Sequence, residues 1–280
     1  MPELPEVETI VRSLRPRIFG LEISSFKLLF PPILRNKNRT VLQKLRGRKI
    51  RNLARRGKMI LIHCEKNLTL IFHLKMTGQL LFYPKREPVD KHTHFILAFK
   101  GQDRELRLRD VRKFGFVSCV QSPEVLGCPE LKSLGPEPLE LSFQNFLKLF
   151  QNREARLKSL LLNQNFIAGI GNIYADEILF EARLHPLSSA STLSPKEIRK
   201  LWQATRHVLR KAIIARGTSI RDYRDGEGQK GSFQNFLKVY GRGSFPCRRC
   251  GRNIKRLRLG GRSTFFCPHC QRKHPKFRDV

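Results

Sequence analysis

Residues 59–83 read MILIHCEKNLTLIFHLKMTGQLLFY. Three short apolar runs lie in this stretch, Met59 to Cys64, Leu68 to Leu74 and Gln79 to Tyr83, parted by Lys66-Asn67 and by Gly78. Such punctuation marks strands joined by tight turns. The pattern continues at Phe95 to Phe99 and Gly115 to Val120, so the chain from about Phe26 to Val120 predicts a β-sandwich or barrel. Upstream, Val7, Ile10, Val11 and Leu14 fall at helical spacing after two prolines, and Pro16 and Gly20 close the pattern. A short amphipathic helix therefore packs the first residues onto the core.

The stretch from Gln121 to Pro138 is rich in proline and glycine and marks a junction. Helical patterns follow at Phe143 to Phe150, Ala155 to Asn163, Ile173 to Ala182 and Lys196 to Ala215, the last opened by Ser194 as N-cap and Pro195 at N1. Gly169-Ile170-Gly171-Asn172 interrupts the second and third. The class is α+β, with a β-rich segment 1–134, a helical segment 135–240 and a C-terminal segment 241–280. The hexapeptide Phe-Gln-Asn-Phe-Leu-Lys occurs at 143 and again at 233; two copies make no solenoid, and chance amphipathic similarity is the expectation.

Lys and Arg total 55 against 23 Asp and Glu, a formal charge of +32, which points to a polyanionic partner. Nucleic acid fits better than a membrane, because no run approaches the ~18 apolar residues of a span and the basic residues are spread along the chain. The start, Met-Pro-Glu-Leu-Pro-Glu, is acidic where a signal peptide is basic, so a cytoplasmic protein is expected. Cys64, Cys119 and Cys128 stand apart in apolar or loop contexts and are expected to pack as small hydrophobes.

Cys247-x2-Cys250 and Cys267-x2-Cys270 are sixteen residues apart, a spacing that brings four thiolates around one tetrahedral zinc ion. Two disulfides or a redox pair are the alternatives, disfavoured in a reducing compartment. A zinc ion with four thiolates has no open position, so it is structural and chemistry must come from elsewhere. One candidate is the terminus. Initiator methionine is trimmed before proline, leaving Pro2 with a secondary amine whose low pKa, for an amine, makes it a nucleophile near neutral pH. Glu3 and Glu6 can move protons beside it. Equally, Pro2 and Pro5 can simply start a helix whose acidic first turn complements its dipole.

The chain as a whole resembles the bacterial formamidopyrimidine-DNA glycosylase family. The resemblance rests on Pro-Glu-Leu-Pro-Glu-Val-Glu-Thr from Pro2, His-Leu-Lys-Met-Thr-Gly from His73, Arg-Asp-Val-Arg-Lys-Phe-Gly from Arg109, Leu-Gly-Pro-Glu-Pro-Leu from Leu134, Gly-Ile-Gly-Asn-Ile-Tyr from Gly169 and the four cysteines, in that order. It implies an N-terminal β-sandwich with a leading helix, a helix-two-turn-helix domain and a β-hairpin zinc finger. It also implies a monomer acting on double-stranded DNA that contains oxidised purines or abasic sites, in bacterial cytoplasm on the nucleoid. Pro2 would attack C1′ of the damaged nucleoside, Glu3 would donate a proton to the sugar, and elimination would cut the strand. Glu6 would support the site or only charge the helix start, and Lys58 would be catalytic or contact a phosphate. Met76, Arg112 and Phe114 would fill the hole left by a flipped base. His73, His92, Arg153, Lys158 and Asn172 match DNA-contacting positions, Asn172 at a helix start where N–H groups favour a phosphate. Thr218 to Gln229, with Tyr223, matches a mobile lid, and Arg262 would be carried to the phosphates by the finger. Lys75 and Thr93 depart from the pattern, Asn163 replaces a common aspartate, and the tail after Gln271 has no role. Leu4 stands where the endonuclease-eight-like, oxidised-pyrimidine branch typically has glycine and favours the oxidised-purine branch; an oxidised-pyrimidine glycosylase of that branch and a zinc-dependent DNA-binding protein without catalysis are the alternatives.

Overall fold

The computed structural model describes residues 1–35, 39–121 and 127–273, so parts of the 121–138 junction and of the C-terminal tail lie outside the described residues. Contacts divide the chain into two compact units, Met1–Lys132 with Ile213–Gln234, and Ser133–Ala212 with the chain from Asn235 onward. The expected three segments follow the chain; the units do not, because 213–234 packs with the N-terminal part and the finger packs with the helices.

The first unit opens with α1 (Leu4–Ile18) and holds β1 (Ile23–Leu28), β2 (Ile50–Arg56), β3 (Met59–Cys64), β4 (Leu68–His73), β5 (Gln79–Pro84), β6 (Thr93–Phe99), β7 (Arg104–Arg109) and β8 (Phe116–Gln121), with short helices α2 (Arg39–Gln43) and α3 (Pro129–Lys132). The strands form two four-stranded sheets, β1-β6-β7-β5 and β2-β3-β4-β8. Every pairing is antiparallel. This is a sandwich, not a closed barrel. Its core takes Leu14, Ile10 and Val7 from α1 together with Ile60, Phe72, Phe95 and Leu108 from the sheets. Each such side chain contributes ~1.5–3 kcal/mol, enough to fix the N-terminal residues on the sandwich. The helix runs through Pro16 instead of ending there. The missing N–H falls in the last turn, and Phe19 N–H closes on the Arg15 carbonyl at 3.1 Å.

Strands β2 and β7 show no apolar run because arginine, asparagine and glutamate break up their apolar residues. In β7, Arg-Glu-Leu-Arg-Leu-Arg, the buried residues include Arg107 itself. Its guanidinium meets Glu105 at 2.8 Å and the carbonyls of Glu87 and Pro88 at 2.8 and 3.0 Å, so the charge is satisfied inside.

The second unit comprises α4 (Phe143–Phe150), α5 (Leu157–Leu162), α6 (Asn172–Ala182) and most of α7 (Pro195–Ile214), followed by the hairpin β9 (Lys255–Leu259) and β10 (Arg262–Phe266). Ser142 caps α4 by accepting the Asn145 N–H at 3.3 Å. The second copy of the hexapeptide is a 3-10 turn, Phe233–Phe236, whereas the first is helical, so the similarity carries no structural repeat. Leu259 pairs with Arg262 across Gly260 and Gly261, whose φ of 53° and 75° suit a two-residue hairpin turn. Among the described residues no helix is long and apolar enough to cross a membrane.

Candidate active site and nucleic-acid interface

At the start of α1, Glu3 and Glu6 cap each other: Glu3 N–H donates to Glu6 Oε2 at 2.8 Å, and the Glu3 side chain accepts the Glu6 N–H. Both acids are 2% exposed and Pro2 is buried. The structure includes Met1, whose amine is held below the usual α-amino range. Burial is the main cause, Lys58 and Arg221 push the same way, and Glu3 and Glu6 oppose them. Both glutamates and Lys58 are thus electrostatic neighbours of the terminus. Lys58, in the β2–β3 turn, is itself buried. Arg221 is an addition that no motif signalled, being one exposed cation in a polar loop.

The Glu6 carboxylate also holds the loop expected to be a lid. Its Oε1 accepts the Thr218 N–H at 2.7 Å, and its backbone carbonyl accepts the Tyr223 hydroxyl at 3.2 Å. Tyr223 is 9% exposed with its ring in the sandwich core, so its side chain is an anchor of the loop and not a presented DNA contact. Gly217 lies close against the same carboxylate, where a Cβ would come within 2.8 Å of Oε1.

Two loops of the sandwich carry the expected wedge. Met76 and Phe114 are 44% and 53% exposed, unusual for such side chains, and the Arg112 guanidinium sits 4.7 Å from the Phe114 ring centroid. One fully buried carboxylate ties the loops together. Asp110 accepts the Thr77 hydroxyl, the Gly115 N–H at 2.7 Å and the Arg112 N–H at 3.2 Å. Its backbone carbonyl accepts His94 Nε2–H at 2.7 Å. Asp110 belongs to Arg-Asp-Val-Arg-Lys-Phe-Gly from Arg109, where its local sequence is that of an ordinary turn aspartate.

His73 accepts the Lys75 N–H on Nδ1 at 3.0 Å, and its pKa is pushed down to about 3 by burial first and by Lys75 and Lys58 second. The ring is therefore neutral and keeps Nε2–H as a donor. Lys75 has φ 50°, a left-handed conformation that glycine adopts more readily than lysine. His92 is half-buried, its N–H donating to Asp90, whose carboxylate also accepts from Arg109 and from the Thr93 hydroxyl at 3.3 Å.

In the second unit Arg153 is exposed before α5 and Arg262 is exposed at the hairpin turn. Asn172 opens α6 and donates from Nδ2 to the Ser263 carbonyl at 3.0 Å. Lys158 differs from expectation. Its side chain is fully enclosed, with Nζ 2.7 Å from Asp176 Oδ1, 2.8 Å from Thr264 Oγ1 and 3.1 Å from the Ser263 carbonyl. Two of its N–H donors are hydrogen-bonded to the hairpin and its charge is paired with the Asp176 carboxylate, so the ammonium is satisfied inside the protein and not presented to a phosphate. The turns before α6 are shaped by Gln164, which bonds Ile170 O and Gly169 N–H at 2.8 and 2.9 Å, and by Asn163, whose Oδ1 accepts the Asn165 N–H at 3.0 Å. That bond needs only an acceptor, which the amide supplies as an aspartate would.

Sγ atoms of Cys247, Cys250, Cys267 and Cys270 lie within 4.8 Å of one another. Cys250 and Cys267 are 3.5 Å apart, too far for a disulfide, and all four are free. Zinc–sulfur bonds of ~2.3 Å in a tetrahedron need sulfur separations near ~3.8 Å, so the cluster fits the ion. Arg249 N–H and Cys270 N–H each point at a sulfur at 3.4 Å, to Cys247 and Cys267, as suits thiolates. Cys64, Cys119 and Cys128 are buried; burial pushes the first two thiols up to about 12, so they are inert.

Comparison with known proteins adds three family matches: the formamidopyrimidine-DNA glycosylase N-terminal domain over residues 1–117, its H2TH domain over 134–224, and the zinc finger found in FPG and IleRS over 244–272. A formamidopyrimidine-DNA glycosylase of Heliobacterium modesticaldum is 49% identical over 97% of this chain and 100% of its own length. One of Carboxydothermus hydrogenoformans is 47% identical with the same coverage. Among solved structures, the Lactococcus lactis FPG mutant G226P with Fapy-dG-containing DNA matches at TM-score 0.91 and 36% identity, over 97% of this chain and 100% of that one. The complex of the Lactococcus lactis enzyme with abasic-site DNA matches equally well.

Proposed function

Since the chain belongs to the formamidopyrimidine-DNA glycosylase family, we propose that it excises oxidised purines, 8-oxoguanine and formamidopyrimidines, from duplex DNA and cuts the strand at the resulting site, with Pro2 as nucleophile. The observation that carries this reading is the amine pocket: a terminus depressed in basicity by burial, with Glu3, Glu6 and Lys58 as charged neighbours. Trimming of Met1 leaves the Pro2 secondary amine in that setting. Its lone pair attacks C1′, the C1′–N bond breaks, and the base departs with a proton. Glu3 protonates the ring oxygen, giving an open-chain iminium. Loss of a C2′ proton expels the 3′ phosphate, and a second elimination expels the 5′ phosphate. A one-nucleotide gap remains, and hydrolysis of the iminium frees the amine.

The wedge of Met76, Arg112 and Phe114 fills the stack while the damaged base is out. Lys58, His73 as a neutral Nε2–H donor, His92, Asn172, Arg153 and Arg262 contact phosphates. The four cysteines hold one zinc ion that stiffens the base of the β9–β10 hairpin and takes no part in bond making. Partners are duplexes with oxidised purines or abasic sites; the protein acts as a monomer on chromosomal DNA in the bacterial cytoplasm.

Borohydride reduction during turnover of abasic-site DNA tests the reading. Protein whose N-terminal mass shows Pro2 should be trapped covalently on the DNA, and Pro2→Gly should lower the trapped yield. Untrapped protein with a verified Pro2 terminus refutes it.

A further inference from the structure

Three consecutive residues that follow Arg262 are each held from the helices beneath. Lys158 Nζ, reaching from α5, donates to the Ser263 carbonyl at 3.1 Å and to Thr264 Oγ1 at 2.8 Å. Asp176, on α6, accepts the Phe265 N–H on Oδ2 at 2.9 Å and pairs with Lys158 through Oδ1 at 2.7 Å. Asn172 gives the Ser263 carbonyl its second donor at 3.0 Å. Lys158 and Asp176 are 0% and 1% exposed, and Thr264 is 0% exposed. Next along α6, Glu177 accepts the N–H groups of Lys238, Val239 and Tyr240 at 2.9 Å each, seating the segment that leads into the finger.

We propose that Lys158 and Asp176 are positioning residues for DNA binding, a buried ionic clamp that fixes the register and tilt of the β9–β10 hairpin and so aims Arg262. The proposal rests on the reading of Arg262 as a DNA contact. The physical case begins with cost. A buried ion pair is not an economical stabiliser, since apolar side chains of similar volume hold a core as well or better. What the pair supplies that apolar groups cannot is direction: Lys158 donates to the Ser263 carbonyl and to Thr264 Oγ1, and Asp176 accepts the Phe265 N–H, each along a fixed line to the hairpin. Zinc cannot supply this, because its ligands lie beyond the far ends of the two strands, at Cys250 and Cys267, while Arg262 stands at the turn. The strands are five residues each, so a small rocking at the zinc end is magnified at the turn unless Ser263 to Phe265 are held. Burial pushes the Asp176 carboxyl up to about 7 even with Lys158 and the Phe265 N–H pulling it down, so loss of the ammonium leaves the carboxyl neutral and the clamp slack.

The test is a cycle of variants in the full-length, zinc-loaded protein: Lys158→Met, Asp176→Leu, the two together, and the milder Thr264→Val, each with and without Arg262→Ala. Zinc content, Tm and equilibrium binding to a duplex carrying a tetrahydrofuran abasic analogue are measured. Lys158→Met should weaken binding by about 10- to 100-fold with zinc retained, and the double variant should regain Tm without regaining affinity. Arg262→Ala should then add less than about 3-fold in the double variant, against its full loss in the unaltered chain. Thr264→Val, which leaves both charges in place, should show a smaller loss of the same kind. Losses that multiply independently overturn the proposal and leave the Arg262 reading intact. Affinity restored together with Tm in the double variant also overturns it, because the pair is then only structural. A silent Arg262→Ala in the unaltered chain overturns the contact reading and the proposal with it.

Discussion

Replacing Asp110 by asparagine should separate base removal from strand cutting. The Asp110 side chain accepts from Thr77, from Gly115 N–H at 2.7 Å and from Arg112 N–H at 3.2 Å, and it is 0% exposed. Asparagine keeps the shape but turns one oxygen into an NH2 group. If the amide oxygen stays with Thr77 and Arg112, the NH2 faces the Gly115 N–H, donor against donor; flipped, it faces Thr77 and Arg112. The first orientation strips the buried Gly115 N–H of its acceptor, at ~1–3 kcal/mol; the second leaves Arg112 N–H only the Thr77 hydroxyl at 3.3 Å; and in both the charge assistance of the remaining bonds is lost. A net cost of about 2 kcal/mol, roughly 30-fold, falls on the arrangement that keeps Met76, Arg112 and Phe114 together, while the sandwich has eight strands to hold it. Single-turnover excision of 8-oxoguanine needs the wedge, so it should fall by about 10- to 30-fold. Cleavage of a duplex already abasic needs it less and should fall by under about 3-fold. The measurement is the two rates side by side, with Tm as control. Equal losses on both substrates would refute the argument, as would none on either.

Removal of zinc by a chelator should abolish most DNA binding while the sandwich stays folded, read by circular dichroism and by titration of labelled duplex; unchanged affinity in protein shown to be metal-free would contradict a structural role for the four cysteines. His73 is held neutral in the fold with a pKa of about 3 against an ordinary 6.5. A depressed folded pKa means its stability contribution is present above pH 6.5 and is lost as pH falls toward 3, because the unfolded chain takes up the proton first. His73→Gln should therefore flatten the acid side of the stability curve by about 1 kcal/mol per pH unit between pH 6 and 4, seen in urea midpoints at each pH. A slope identical to that of the unaltered protein would show that His73 titrates normally.

Much of the fold was legible because apolar runs and turn residues report burial directly. Met59 to Cys64 and Phe143 to Phe150 were placed to the residue. Two strands stay hidden because arginines stand among their apolar residues: in β2 Arg55 and Arg56 are half-buried, and in β7 Arg107 is buried only because Glu105 and the carbonyls of the 84–88 segment receive its charge. Sequence carries no sign of those partners. The same limit governs the sites. Cysteine spacing survives projection onto sequence because the two Cys-x2-Cys turns are local, whereas Lys158 meets residues 105 and 106 positions away, and from its own neighbours it resembles any surface lysine.

Glu6 is the sharpest case, because the sequence offered two readings and physical chemistry does not make them exclusive. As a helix-start acid it should accept a backbone N–H near the cap; as a member of the site it should bear on catalysis. The carboxylate has two oxygens, and only one serves the cap: Oε2 takes the Glu3 N–H at 2.8 Å, while Oε1 takes the Thr218 N–H at 2.7 Å. Closing the 218–229 segment against the sandwich therefore loads the residue that holds Glu3 in place. Any motion that frees Thr218 takes this N–H from the buried Oε1, at a cost of ~1–3 kcal/mol unless water or substrate replaces it. The capping box is thus coupled to the segment above it through one side chain, so the acidic first turn that punctuates the helix also ties the position of Thr218 to that of Glu3, the proposed proton donor.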